Sequence, residues 1–193
     1  PHSIDQNLGT NVEFKFGTSP EVAIDLCVTD FGSRMGLMDK LSHRKAAKEA
    51  LTDVLKNLKK EDDEEESAKD PQKVTIHYEG KGGLTALVLN GEPSTFVLQT
   101  HLRKAFASLL KAEDKDQYVN FSIIGLKDSL AKQVLGSVAS MAVLVRYKPE
   151  LFGKKHKSQK KLGKLTLNIQ TSLNKKQALE IIDEGRVLGY CNN

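Results

Sequence analysis

The chain has no tryptophan and only two cysteines, Cys27 and Cys191, among its 193 residues. Neither belongs to a CxxC pair, so free thiols in a reducing compartment fit better than a secreted disulfide framework. No apolar run approaches the roughly 20 residues that cross a bilayer. The opening PHSIDQNLGT lacks the apolar core of a signal peptide and the arginines of a transit peptide, so the expected compartment is the cytoplasm. Because it opens on Pro1 rather than Met, the chain is expected to be a processed fragment or to have an introduced start.

Catalytic signatures are also missing. There is no GxGxxG or GxxxxGK[ST] phosphate loop, and neither Ser94 nor Ser137 sits in a GxSxG elbow. The histidines, His2, His43, His77, His101 and His156, show neither HxxxH nor HExxH spacing. Cys27 falls within a strand alternation and reads as a small buried hydrophobe, while Cys191 has no neighbour that would make it a nucleophile. No residue is assigned a catalytic, cofactor-binding or metal-ligating role.

What is present suits one α/β domain, since a chain of this length buries roughly 70% of its unfolded surface. Charge is unevenly placed. Residues 61–66 are six consecutive acids, EDDEEE, and read as a solvated loop because like charges cannot pack. GKKHKSQKKLGK, 153–164, carries Lys154, Lys155, Lys157, Lys160, Lys161 and Lys164. Those lysines are the candidate contacts for a polyanion, each phosphate contact steepening the salt dependence by about 0.9 log units. The run has no interior aromatic on which a base would stack. It therefore reads first as a solvated connector.

Hydrophobic periodicity alternates between two and about 3.6 residues. Val12, Phe14 and Phe16 predict a strand, as do Val22, Ile24, Leu26 and Val28. A helix is expected from Leu41 to Leu58, with Ser42 as N-cap and Ala47, Ala50, Leu51, Val54, Leu55 and Leu58 on one face. Val74, Ile76 and Tyr78 form a strand with His77 turned to solvent. LTALVL, 84–89, predicts a central strand covered on both faces. EGKGG between these two reads as a tight turn, because a strand rather than a helix N-terminus follows it.

Leu98, Leu102, Ala105, Phe106 and Leu109 then mark a helix, and Val119, Phe121 and Ile123 a strand. The next helix runs through Leu130, Val134, Leu135, Val138, Met141, Ala142 and Val145. Leu165, Leu167 and Ile169 form the last strand; Ala178, Ile181, Ile182 and Leu188 mark the last helix. His43 and His101 are placed at or near helix starts. This alternation predicts an α/β fold, a mixed and largely parallel sheet flanked by helices, which the two early strands could extend.

One pattern spans more of the chain. LRKAFASLLKAEDKDQYVNFSIIG, the small-residue helix after it, RYKPELFGKKHK, KLTLNIQ and QALEIIDEGRVLGYCNN resemble the N-terminal domain of leucyl aminopeptidases, from about residue 72 to 193. The resemblance implies a macro-domain-like fold over 11–173, preceded by a flexible or vector-derived segment at 1–10. It also makes 174–193 a connecting helix toward a C-terminal catalytic domain. It further implies two divalent metals, zinc or manganese, in that other domain, and a homo-hexameric parent. The partners would then be the catalytic domain and sibling subunits, with no membrane. The metal ligands, the active-site lysine and the arginine-containing bicarbonate loop have no counterpart in this sequence. Two alternatives remain: a DNA- or RNA-binding module using the lysine stretch, and a macro-like nucleotide binder.

Overall fold

A computed structural model describes residues 11–41, 44–58, 70–111, 113–146 and 163–191. The alternating apolar segments form six strands: β1 (Val12–Phe16), β2 (Ile24–Asp30), β3 (Gln72–His77), β4 (Gly83–Leu89), β5 (Gln117–Ile124) and β6 (Leu165–Gln170). They make one sheet in the order β1-β6-β5-β2-β4-β3. Every neighbouring pair is parallel except β3 with β4. Helices lie on both faces, so the sheet is mixed, largely parallel and helix-flanked, as the periodicity predicts.

Two placements differ from the sequence expectation. The early strands do not supply the antiparallel member: β1 closes one edge and β2 lies in the interior between β5 and β4. Pairing partners far apart in the chain leave no local signal, so strand order escapes periodicity. The expected helix from Leu41 is instead a 3-10 helix, Arg34–Leu41, followed by α1, Lys45–Asn57. Ser42 lies outside the described residues. Ala50 and Val54 face solvent, leaving Ala47, Leu51 and Leu55 as the narrower buried stripe.

The remaining helices are α2 (Thr95–Leu110), α3 (Asp128–Leu144) and α4 (Lys175–Cys191). Ser94 caps α2, its Oγ accepting from the Val97 N–H at 3.3 Å. α3 is apolar on most of its circumference, because it is wedged between the sheet and α4. The α3–α4 contact depends on glycine: a Cβ on Gly185 would lie 2.6 Å from the Gly136 carbonyl oxygen. On α4 the expected stripe is only partly buried, since Leu188 is 58% exposed.

EGKGG is a turn in the β3–β4 hairpin. Gly80 and Gly82 have φ of 92° and 99°, and a Cβ on Gly82 would meet the Ala23 backbone.

The core is in two layers. Under α2, α3 and α4 lie Leu26, Val28, Val119, Phe121, Leu165, Leu167 and Ile169, with Phe106 edge-on to Phe121 at 6.3 Å. On the opposite face, the 3-10 helix and α1 cover Cys27, Val74, Ile76, Leu84, Ala86 and Val88. This second layer extends over β3, β4 and β2 and touches β5 at Ile124. One register row shows where it stops: Ile76, Leu84, Asp25, Asn120, Asn168 and Lys15 stand side by side across all six strands.

Candidate functional site

The change from apolar to polar in that row falls at Asp25, near the start of β2. Its carboxylate is 7% exposed, a burial that requires hydrogen-bond partners. Tyr78 Oη donates to Asp25 Oδ2 at 2.5 Å, and Asn120 Nδ2 donates to Oδ1 at 2.9 Å. Asn120 is itself fixed. Its Nδ2 also donates to the Ser19 carbonyl at 2.7 Å, and its Oδ1 accepts from the Ser19 N–H at 3.1 Å. Asn168 Nδ2 adds a longer contact to the same Oδ1 at 3.3 Å.

Two cations stand around this carboxylate. Arg44 stacks over the Tyr78 ring, its guanidinium carbon 3.9 Å from the centroid, a cation–π geometry. Lys40 Nζ donates to Gln170 Oε1 on β6. Burial, then the hydrogen bond to Asp25, pushes the Tyr78 phenol above its ordinary range. Burial, with the Asp25 charge added, pushes the Cys27 thiol up to about 12. Tyr78 is therefore a neutral donor and Cys27 a neutral thiol at physiological pH.

Beside this network lies a cleft of about 180 Å³, with Ser19, Asp25, Asp39, Lys40, Arg44 and Asn120 in its wall. Ligands of open α/β sheets usually bind at the carboxyl ends of the strands. Here that end is tight between β2 and β5, where a Cβ on Gly125 would lie 2.2 Å from the Ser33 Cβ. The cleft sits toward the opposite end of the sheet.

A second buried polar group, Arg146, lies just beyond the end of α3 and is fully buried. Its Nη1 donates to Gln117 Oε1 at 2.9 Å and to the Lys111 carbonyl at 3.3 Å; its Nη2 donates to the Gly163 carbonyl. One guanidinium thus ties the end of α2, the start of β5 and the approach to β6. Burial pulls its pKa down, though an arginine remains charged at neutral pH.

Of the candidate polyanion contacts, Lys164 alone falls within the described residues. It is paired with Glu13 on β1 at 2.6 Å, and its backbone N–H donates to Asp116 Oδ1 at 2.8 Å. Lys154, Lys155, Lys157, Lys160 and Lys161 lie outside them, as do the acids at 61–66, His2, His43 and His156.

His77 is exposed, as its strand position predicts. His101 is not at a helix start but within α2, 3.5 Å from Asp70. Cys27 is buried and Cys191 exposed. Among the described residues, no three His, Cys, Asp or Glu side chains are grouped to hold a metal ion. No described helix is long and apolar enough to cross a membrane.

Motif reading missed both Asp25 and Arg146. A usable signal was present: an acid inside the apolar run VAIDLCV, an amide inside YVNFSII, and an arginine closing the apolar helix 130–145. Asp25 and Asn120 fall one residue out of phase with their strands' apolar alternation but within short runs that are apolar on both sides, and Arg146 directly follows the last apolar residue of its helix.

No protein-family model matches the chain, and no curated protein matches it. Among solved structures it is similar to a tomato leucine aminopeptidase bearing a lysine-to-glutamate substitution. The TM-score is 0.55 and the identity 13%, over 93% of this chain and 36% of that one. The chain thus spans about a third of that enzyme's length. At this identity the likeness is one of fold.

Proposed function

We propose that the chain is the non-catalytic N-terminal domain of a leucyl aminopeptidase. In such an enzyme two divalent metals in a separate catalytic domain release N-terminal residues from peptides. The observation that carries this reading is the fold likeness to tomato leucine aminopeptidase over 93% of the chain. The LRKA-to-GYCNN pattern, read from sequence independently, supports it. The domain's role is then assembly and control of access to the active sites, in a cytoplasmic homo-hexamer.

Two other readings rank lower. The polyanion reading loses one free charge where Lys164 is matched by Glu13. The nucleotide reading has only fold analogy behind it, and a fold does not by itself specify a ligand. The assignment is tested by assaying the chain on a leucyl substrate with Mn²⁺ and with Zn²⁺. No turnover is expected; turnover that scales with protein and metal would overturn the non-catalytic role.

A further inference from the structure

The cleft beside β2 brings together four formal charges, Asp25, Asp39, Lys40 and Arg44. Yet no two of them form an ion pair with each other, and none pairs elsewhere among the described residues. Charges of both signs thus share one small wall without neutralising each other. Asp25 and Asn120 are held in place by the hydrogen bonds to Tyr78 and Ser19, so this part of the wall is rigid before anything binds. Each Asp25 oxygen accepts one of these bonds and keeps a further acceptor site.

We propose that this cleft binds a small zwitterion of the free α-amino acid class. Its ammonium is received by Asp25 and Asp39, and its carboxylate by Lys40 and Arg44. A simple anion would face the buried Asp25 carboxylate, and a simple cation would face Lys40 and Arg44. A neutral molecule would desolvate both pairs without compensating either. A ligand carrying both signs a few bonds apart matches both, and the volume holds only a small molecule. Arginine suits the carboxylate role because its planar fork can donate to both oxygens at once. This inference stands on the cleft alone and does not depend on the aminopeptidase reading.

The test is an NMR titration of the ¹⁵N-labelled chain with L-alanine, following the Ser19 amide and the Asn120 side-chain amide. Alaninamide, which lacks the carboxylate, and N-acetyl-L-alanine, which lacks the ammonium, serve as controls. L-Alanine is expected to give saturable shifts confined to the cleft, with both derivatives at least tenfold weaker. Arg44→Gln and Asp39→Asn, at partly or fully exposed positions, should each weaken L-alanine roughly tenfold while the remaining resonances stay dispersed and unmoved. The proposal is overturned by unsaturable drift through the millimolar range, by equal binding of either derivative, or by variants that bind as the parent does.

Discussion

The two faces of the sheet are built on different principles. Beneath α2, α3 and α4, side chains from β4 across to β1 are apolar apart from Thr85, and the layer runs unbroken to the β1 edge. On the other face the apolar cover past β2 reaches only Ile124 of β5, and Asn120, Asn168 and Lys15 continue the row. The β3 edge shows the converse, with Lys73, Thr75 and His77 exposed on the side facing away from α1. The two apolar layers are therefore offset, overlapping at β2 and β4. The sheet is covered by apolar side chains on both faces where they overlap, and polar side chains collect where one of them stops.

The largest expected effect would break the apolar face. Phe121→Ala removes a fully buried ring and its edge contact with Phe106, and should cost about 3–5 kcal/mol in urea unfolding. Tyr118→Ala, on the polar face of the same strand at 54% exposure, should change stability by no more than about 0.5 kcal/mol. Similar costs at the two positions would remove the distinction between the faces.

Next is the polar seam itself. Asp25→Ala leaves the Tyr78 hydroxyl and an Asn120 N–H without their acceptor, for a loss of about 1–3 kcal/mol. Tyr78→Phe removes one donor only and should cost less than Asp25→Ala in the same unfolding assay. The reverse order would show that Asp25 is not the centre of the network.

The thiols sharpen the same contrast without mutation. At about pH 8 a disulfide reagent should titrate Cys191 in the native protein and reach Cys27 only after unfolding, because only exposed thiolate reacts. The sign for Cys27 follows from its raised pKa. Its contribution to stability is complete below the ordinary thiol value of 9.0 and is lost as pH rises toward about 12. Rapid native labelling of both thiols would contradict the buried seam.

The smallest effect belongs to the polar edge. The hydrogen bond from Lys164, with its charge, holds Glu13 below its ordinary value of 4.5. A depressed carboxylate stabilises above its unfolded pKa, and that contribution is lost as pH falls through the folded value. Unfolding curves of the parent and Lys164→Met should therefore converge as pH falls below the ordinary value of 4.5. A gap that widens on acidification would mean that Lys164 is not Glu13's partner.

Strands and helices were legible in the sequence wherever one face was buried, because burial imposes the period. Val74, Ile76 and Tyr78 show this, as does the apolar circumference of α3. The 3-10 helix at 34–41 was not legible: its apolar residues follow neither period, and Leu41 read as the first turn of α1. The cleft was illegible for a different reason. Asp25, Tyr78 and Asn120 are 53 and 95 residues apart in pairs with Asp25, and only the strand order brings them together. Pairing β2 with both β5 and β4 is a long-range choice that no single strand encodes.

The most direct test of the central claim is to isolate the native polypeptide that contains this sequence and map its peptides. The account predicts a polypeptide about two and a half times this length, with a segment after Asn193 carrying clustered lysine, aspartate and glutamate able to hold two metal ions. Native polypeptide with no such segment would contradict it.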